Sequence, residues 1–261
     1  MNIILYLFLI LFSTSCVISQ DKTTRMKVHF PCTNCLQAEY IMGKFDPSKH
    51  PDFMEIPARY SDMEGRYLRR DVMDAFIVMF EAARSAGITL QIRSATRDFE
   101  AQKKIWEDKW YGRRILEDGI NAMKDIPDEK KRALKILEYS SMPGTSRHHW
   151  GTDIDLNSFT NDYFDSGEGL RIYTWLQENA RFYGFCQTYT SFDTSRTTGY
   201  QPEKWHWSYI PVSARLTEWA GNNLDDSKIS GFAGSHTAKE IQVVANYVLG
   251  IHPACTGTPE K

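Results

Sequence analysis

The sequence predicts an α+β fold in which helices flank a small, mostly antiparallel sheet. Several segments repeat apolar residues at three- and four-residue steps, which is typical of amphipathic helices. Shorter segments alternate apolar and polar residues, as half-buried strands do. The two kinds of segment do not follow each other with the regular rhythm of parallel βαβ units. With 261 residues and a hydrophobic content of 42%, the chain is long enough to bury one well-formed core.

The first 19 residues predict a secretory signal peptide. Residues 3–12 form an apolar run that is too short to span a bilayer, and small residues follow it. Residues 17–19 fit a cleavage site before Gln20, and lipid attachment at Cys16 is the alternative. We therefore expect an exported protein, periplasmic or secreted, that keeps no transmembrane helix once the signal is removed.

The cysteines beyond Cys16 indicate disulfides. There are four of them, at Cys32, Cys35, Cys186 and Cys255. An even count in an exported chain favours disulfide bonds, but their pairing cannot be deduced from the spacing. Cys32 and Cys35 also have the spacing of half a structural zinc site. The solitary positions of the other two cysteines disfavour a zinc ribbon.

The elements follow from periodicity and turn residues. Residues 20–60 are predicted to form an irregular N-terminal extension, because turn formers recur there. The main domain is predicted over residues 61–251, with a short C-terminal tail at 252–261. Its helices are predicted at 71–86, 98–110, 127–139 and 170–183, and its strands at 88–93 and 185–189. Thr237 and Glu240 have the spacing of a capping box, which predicts a last helix ending near Gly250.

The charge balance argues against two classes of partner. The chain carries 31 basic and 33 acidic residues, so no basic excess indicates nucleic-acid binding. The sequence has no run of basic residues that would indicate binding to an anionic membrane surface.

The 7 Trp and 13 Tyr suit either a core or the wall of a polar cleft. A monomer is the favoured oligomeric state.

One stretch, SRHHWGTDIDLN at residues 146–157, concentrates metal-binding side chains. Gly151 predicts a turn, and the residues after it alternate like a short strand, which places Asp153 and Asp155 on one face. His148 precedes the turn and is able to fold back toward that face. One histidine and one carboxylate are two of the three protein ligands of a catalytic zinc. On this stretch alone, a solvated polar hairpin is equally compatible.

A second stretch supplies a third ligand and a base. Glu203 stands three residues before His206, in a segment that alternates like a strand. A zinc hydrolase needs such a pair, because the metal acidifies a water molecule and a carboxylate takes its proton. An ordinary strand histidine between tryptophans is the alternative reading of His206. The H-E-x-x-H pattern is absent from the sequence, which argues against the helical zincin arrangement.

Together these motifs resemble the VanY-type D-alanyl-D-alanine carboxypeptidases, zinc peptidases that trim peptidoglycan stem peptides. The resemblance lies in Ser146-x-His148-x6-Asp155 followed by Glu203-x-Trp205-His206. It also lies in Ser94-Ala-Thr-Arg97, with Gln102 five residues after the arginine. The three motifs occur in the family's order and extend over about residues 60–215. The family's fold is related to the hedgehog signalling domain, so the resemblance implies a hedgehog/D,D-peptidase-like fold.

The resemblance implies a role for each matched residue. His148, Asp155 and His206 would bind Zn²⁺, and Glu203 would be the general base. Arg97 would hold the free carboxylate of the substrate, since a guanidinium matches a carboxylate with two hydrogen bonds. Three further residues are expected to support the site or to touch the substrate: Gln102, Ser146 and Trp205.

The implied activity is zinc-dependent removal of a C-terminal D-amino acid, D-alanine, from peptidoglycan stem peptides. L,D-carboxypeptidase and cross-link endopeptidase activities use the same metal chemistry and remain alternatives. A zinc-containing cell-wall-binding domain without turnover is a further alternative. Glu203 favours an enzyme, because a domain that only binds would not need a base.

The match to the family pattern has three departures. Asp153 stands where relatives usually have a small residue such as alanine. It is either a partner of a metal ligand or directed elsewhere, and it leaves open which aspartate ligates, with Asp155 favoured by position. His149 competes in the same way with His148. The long charged span at 103–145 is expected to add a helix that shapes one rim of the cleft.

Overall fold

The computed structural model describes residues 32 and 34–257. The predicted signal peptide and Cys16 lie outside the described residues. The fold is α+β, as predicted, with helices around antiparallel sheets. Within the described residues, no helix is both long and apolar enough to cross a membrane.

A four-stranded antiparallel sheet forms the centre of the domain. Its spatial order is β3-β4-β6-β5, and a separate hairpin-like pair is formed by β1 and β2. The strands are β1 (Phe53–Glu55), β2 (Tyr67–Arg69), β3 (Ile92–Ser94), β4 (Asp153–Leu156), β5 (Phe185–Gln187) and β6 (His206–Tyr209). The middle strands β4 and β6 are buried along their whole length, so side chains on them are shielded from water.

The helices surround this sheet, and the first long one confirms the periodicity analysis. α2 buries the apolar residues that recur at helical spacing in the sequence. The α-helices are α1 (Ala38–Ile41), α2 (Arg70–Ser85), α3 (Phe99–Trp110), α4 (Ala122–Asp125), α5 (Glu129–Ile136), α6 (Gly167–Asn179), α7 (Ile210–Asn223) and α8 (Ala238–Ile241). α7 begins directly after β6 with a proline in its first turn and was not among the predicted helices.

The N-terminal extension is not irregular throughout, because it contains α1 and β1. Tyr40 donates its hydroxyl hydrogen to the carbonyl oxygen of Trp150 at 2.7 Å, and the Trp150 indole donates to the carbonyl oxygen of Ile41 at 3.1 Å. Buried Arg69 contacts the Tyr40 hydroxyl and pairs with Asp71 at 2.8 Å. The extension therefore packs against the segment that carries the two adjacent histidines.

The strand predicted at 88–93 is wrong over its first part, since β3 spans only Ile92–Ser94. The Ile88 amide donates to the carbonyl oxygen of Ala83 and so completes the end of α2. The Gln91 amide donates to the side chain of Asn157. These backbone groups are satisfied outside the sheet, which their alternating side chains do not reveal.

Two predicted helix starts also differ from the structure. Asp128 caps α5 by accepting from the Lys131 amide, so Pro127 lies before the helix and not in its first turn. The capping box at Thr237 does not form, because the Thr237 hydroxyl donates to the carbonyl oxygen of Gly234. α8 ends at Ile241, and a π-helix at Val244–Val248 replaces the predicted continuous helix.

Both predicted disulfides are present, and the structure supplies their pairing. Cys32 bonds to Cys35, and Cys186 bonds to Cys255. The second bond fastens the C-terminal segment to the edge strand β5. No zinc ribbon is built on Cys32 and Cys35.

Gly151 connects the histidine segment to β4 and cannot carry a side chain without cost. Its φ is +69°, and a Cβ there would lie 2.4 Å from the Phe53 ring. Gly151→Ala is expected to lower the free energy of unfolding by about 1–3 kcal/mol from the backbone conformation, plus the cost of the clash. Gly65→Ala is the matched control, with φ +70° and no atom within 4 Å of the added Cβ. Denaturant unfolding checks this, and equal losses in the two variants would contradict the role of the clash.

Candidate metal centre and cleft

The two central strands bring the predicted ligands together. Asp155 on β4 is the register partner of His206 on β6. A 3₁₀-helix at Arg147–Trp150 holds His148, and the left-handed turn at Gly151 returns the chain into β4. The histidine therefore folds back over the strand, as the sequence analysis expected.

Three ligand atoms converge at this point. His148 Nε2 lies 3.3 Å from Asp155 Oδ2, and His206 Nδ1 lies 3.1 Å from Asp155 Oδ1. The ligand atoms of all three residues lie within 4.8 Å of one another, and all three residues are buried. The imidazole rings of the two histidines are perpendicular, with centroids 4.8 Å apart.

This donor set fits a zinc ion. Two imidazole nitrogens and one carboxylate oxygen are donors found in catalytic zinc sites. Zn–N and Zn–O bonds of 2.0–2.2 Å place two donors on one tetrahedral ion about 3.4 Å apart. The two contacts to Asp155, at 3.3 and 3.1 Å, are close to this spacing. Burial alone would raise the pKa of Asp155, but His148 and His206 hold that pKa well below its usual range.

A hydrogen bond at Nδ1 leaves Nε2 of His148 available to bind a cation. Its Nδ1 lies 2.9 Å from the carbonyl oxygen of Ala95, which can only accept a hydrogen bond. Nδ1 therefore carries the proton, and Nε2 presents its lone pair toward Asp155. Burial lowers the pKa of His148, which favours the neutral ring that a metal ligand must be.

His149 faces away from the centre, and this resolves the competition between the adjacent histidines. Its Nε2 accepts a hydrogen bond from the Gly144 amide at 3.0 Å, so Nδ1 carries the proton. Nδ1 lies 2.7 Å from the carbonyl oxygen of Arg97 and donates to it. His149 therefore fixes the backbone of Arg97, and burial lowers its own pKa to about 3.

His149→Gln is expected to remove one source of acid sensitivity. In the folded chain His149 stays neutral down to about pH 3, whereas in the unfolded chain the exposed ring takes up a proton near pH 6.5. The stability that depends on the neutral ring is therefore present above pH 6.5 and is lost as pH falls toward 3. Over this window the wild type should lose up to about 1.4 kcal/mol per pH unit more than the variant. Denaturant unfolding at several pH values, with chelator present, checks this; equal slopes would contradict it.

Glu203 lies beside the three ligands and is almost completely buried. Its Oε2 is 3.6 Å from His206 Nδ1. Its amide donates to the carbonyl oxygen of Tyr189, and its carbonyl oxygen accepts from Gln187. Burial raises the pKa of Glu203 to about 8, against the opposing effect of His206. The side chain thus combines proximity to the centre with an increased affinity for a proton.

Arg97 also faces the centre. It lines the cleft with Glu203 and the three ligands, and its amide donates to the carbonyl oxygen of His148. Burial lowers the pKa of Arg97, and the nearby Asp155 and Glu203 carboxylates oppose this effect. Its buried Nε has no hydrogen-bond partner among the described residues. A guanidinium with a free donor suits an incoming carboxylate.

The cleft around these groups has a volume of about 500 Å³. Ser146 and Trp205 line it, as the sequence analysis expected. Gln102 lies behind the wall, where its amide donates to the carbonyl oxygen of Ser141 at 2.8 Å. Because Ser141 does line the cleft, Gln102 supports the wall and does not present its side chain to the cleft.

Sequence reasoning missed several cleft residues. Tyr189 lies in the loop after β5, and its ring centroid is 4.6 Å from that of His206. Lys109 is buried at the end of α3 and pairs with Glu117 at 2.5 Å. Lys109 and Glu117 belong to the charged span that was expected to shape one rim. The missed lining residues include Arg66, Arg93, Lys109, Arg114, Tyr139 and Tyr189. No motif marks them, since distant parts of the chain bring them to the cleft.

Two curated proteins and a solved structure are similar to parts of this chain. A putative carboxypeptidase of Bacillus subtilis, YodJ, is 28% identical over 180 residues, covering 67% of this chain and 58% of the relative. A D-alanyl-D-alanine carboxypeptidase of Enterococcus faecalis is 30% identical over 136 residues, covering 52% and 46%. The chain thus spans about half the length of these curated relatives. A solved structure of the LD-carboxypeptidase LdcB matches with a TM-score of 0.49 and 24% identity, covering 79% of this chain and 78% of that one.

The family model for VanY, D-alanyl-D-alanine carboxypeptidase, matches residues 65–212. This range contains all three motifs and every residue that lies at the candidate centre. It confirms the resemblance drawn from the motifs. Since the match covers more than half of the chain, the protein belongs to the VanY family of D-alanyl-D-alanine carboxypeptidases.

Proposed function

We propose that the protein is a zinc-dependent carboxypeptidase that removes a C-terminal D-alanine from peptidoglycan stem peptides. The observation that carries the proposal is the convergence of two imidazole nitrogens and a carboxylate within 4.8 Å of one another. Glu203 and Arg97 line the same cleft. The similar protein of Enterococcus faecalis is a D-alanyl-D-alanine carboxypeptidase, which supports the choice of substrate.

His148, Asp155 and His206 would hold the zinc ion. When bound, zinc supplies Lewis-acid chemistry, lowering the pKa of a water molecule and polarising a carbonyl group. Glu203 accepts the proton of the attacking water and returns it to the amine of the leaving D-amino acid. The position of its carboxylate suits both transfers, because Oε2 lies 3.6 Å from Nδ1 of His206, beside the proposed zinc site.

Arg97 selects the position of the scissile bond. Its guanidinium holds the terminal carboxylate of the peptide and so places the last peptide bond beside Glu203. Trp205 and Ser146 line the space around this bond. Glu203 favours turnover over binding alone, since a binding domain gains nothing from a buried carboxylate that repels Asp155.

The proposed substrate lies outside the cytoplasmic membrane, so the proposal includes export. The predicted signal peptide and the Cys186–Cys255 disulfide support it. Mass spectrometry of the exported protein's N-terminus tests the predicted cleavage of the signal peptide. An N-terminus that still begins at residue 1 would contradict this cleavage.

Removal of the metal tests the zinc dependence. Treatment with a chelator should abolish hydrolysis of a peptide ending in D-alanyl-D-alanine, and added Zn²⁺ should restore it, with one zinc per chain. His148→Ala should lose the zinc because it removes one of three protein ligands. His236→Ala is the control, since His236 is exposed and pairs with Glu129. Full activity after complete metal removal would refute the zinc dependence.

A further inference from the structure

His206 is held through both nitrogens of its ring. Nδ1 lies 3.1 Å from Asp155 Oδ1, and Nε2 lies 3.0 Å from Asp153 Oδ1. The two aspartates share one face of β4, as their spacing predicts, and the His206 ring lies between their carboxylates. Asp153 is fully buried and does not belong to the group of converging ligand atoms.

The Asp153 carboxylate is surrounded by donors. Arg147 Nε lies 3.1 Å from Oδ1, while the hydroxyls of Thr152 and Ser208 donate to Oδ2 at 2.6 and 3.1 Å. A carboxylate with these partners acts as an acceptor, so His206 donates its Nε2 hydrogen to it. The ring nitrogen left for a metal ion is then Nδ1, the one that faces Asp155.

Arg147 ties the Asp153 carboxylate to β6, α7 and Trp150. Arg147 Nη2 donates to the Ser208 hydroxyl at 3.0 Å, and Nη1 donates to the Thr217 hydroxyl on α7 at 2.8 Å. The Arg147 guanidinium also lies over the Trp150 ring, 4.5 Å from its centroid. Its positive charge offsets the second carboxylate, so Asp153 adds an acceptor near the centre without adding net charge.

We propose that Asp153 is a positioning residue that fixes the tautomer and ring orientation of His206 for metal binding. The proposal rests on the proposed zinc site and deepens it. It settles which aspartate binds: Asp155 lies on the metal side of the ring, and Asp153 lies on the opposite side. A metal-ligating histidine commonly donates its second N–H to such a partner, and loss of that partner costs about 10- to 100-fold in metal affinity or activity.

A purely structural role would have Asp153 only balance the buried charge of Arg147. Asp153→Ala alone does not separate the two roles, because it leaves that guanidinium buried without its partner. A matched pair of variants in one background does separate them. Arg147→Met removes the buried charge, and Asp153→Asn or Asp153→Ala in that background then differ in whether an acceptor remains for His206 Nε2.

The expected result is weaker zinc binding in the variant without the acceptor. In chelator competition, Asp153→Ala/Arg147→Met should bind zinc about 10- to 100-fold more weakly than wild type. Asp153→Asn/Arg147→Met should recover most of that loss. In zinc-loaded wild type, ¹⁵N NMR of His206 should show a protonated Nε2 and a metal-bound Nδ1, and this measurement requires no variant.

Several results would overturn the proposal. Equal zinc affinity in the two double variants, or metal bound through Nε2 of His206, would contradict it. If wild type binds zinc through His148 while the Asp153 variants bind equally well, the positioning role fails and the proposed function stands. If wild type binds no zinc, both fail together.

Discussion

Replacing Glu203 with glutamine is expected to lower kcat by about 10²- to 10⁴-fold while zinc remains bound. Glutamine keeps the size of the side chain but cannot take a proton from water. The three ligand side chains are unchanged, so zinc content should equal that of wild type. The loss should be in kcat, because Arg97 still holds the substrate carboxylate.

The control for this variant is the same substitution at a glutamate that does not line the cleft of the candidate metal centre. Glu138 lies outside the main cleft and pairs with Lys135 at 2.7 Å, so Glu138→Gln should keep nearly full activity. Initial rates and zinc content are measured on all three proteins. A Glu203→Gln protein that turns over at the wild-type rate would show that another group is the base.

Arg97→Ala is expected to slow hydrolysis of peptides with a free C-terminal carboxylate more than hydrolysis of C-terminally amidated peptides. For a peptide with a free C-terminus, kcat/KM should fall by at least about 30-fold, the lower end of the 2–5 kcal/mol lost when a buried charge pair is truncated. For the same peptide with a C-terminal amide, the loss should be small, because the carboxylate partner of Arg97 is already missing.

Arg93→Ala is the matched control, because Arg93 lines the same cleft but is already engaged. Its Nε pairs with Asp62 at 2.7 Å, and its Nη1 donates to the carbonyl oxygen of Asn157. It should not distinguish free from amidated termini. An equal loss for both peptides in Arg97→Ala would mean that Arg97 supports the fold of the cleft and does not read the carboxylate.

The sequence was sufficient for features that depend on local periodicity. The apolar spacing along α2 predicts its buried face, and the alternation in residues 152–156 correctly places Asp153 and Asp155 on one side of β4. The family motifs, in their order, lead to the group of residues that the fold brings together. All of these rest on spacing within one element or on matching side chains to a known pattern.

The sequence was insufficient where a hydrogen bond from a distant residue decides the outcome. At Gln91 the backbone carbonyl accepts from the Asn157 amide, but the Asn157 side chain, and not a strand carbonyl, takes the Gln91 amide. His149 faces away from His148 because the Gly144 amide and the Arg97 carbonyl hold its ring. The orientation of the Asp153 carboxylate depends on hydrogen bonds from both Arg147 and Ser208. Such partners are fixed only when the chain has folded.

Mass spectrometry of the products from defined muropeptides tests the central claim most directly. The zinc-loaded protein is incubated with stem pentapeptides, tetrapeptides and a cross-linked dimer. The proposed function predicts that the pentapeptide loses one D-alanine, and that metal-free protein and the Glu203→Gln variant release none. Release only from the tetrapeptide or the cross-link would contradict the D,D assignment. No product from any of the three would contradict the claim that the protein is a carboxypeptidase of the peptidoglycan stem.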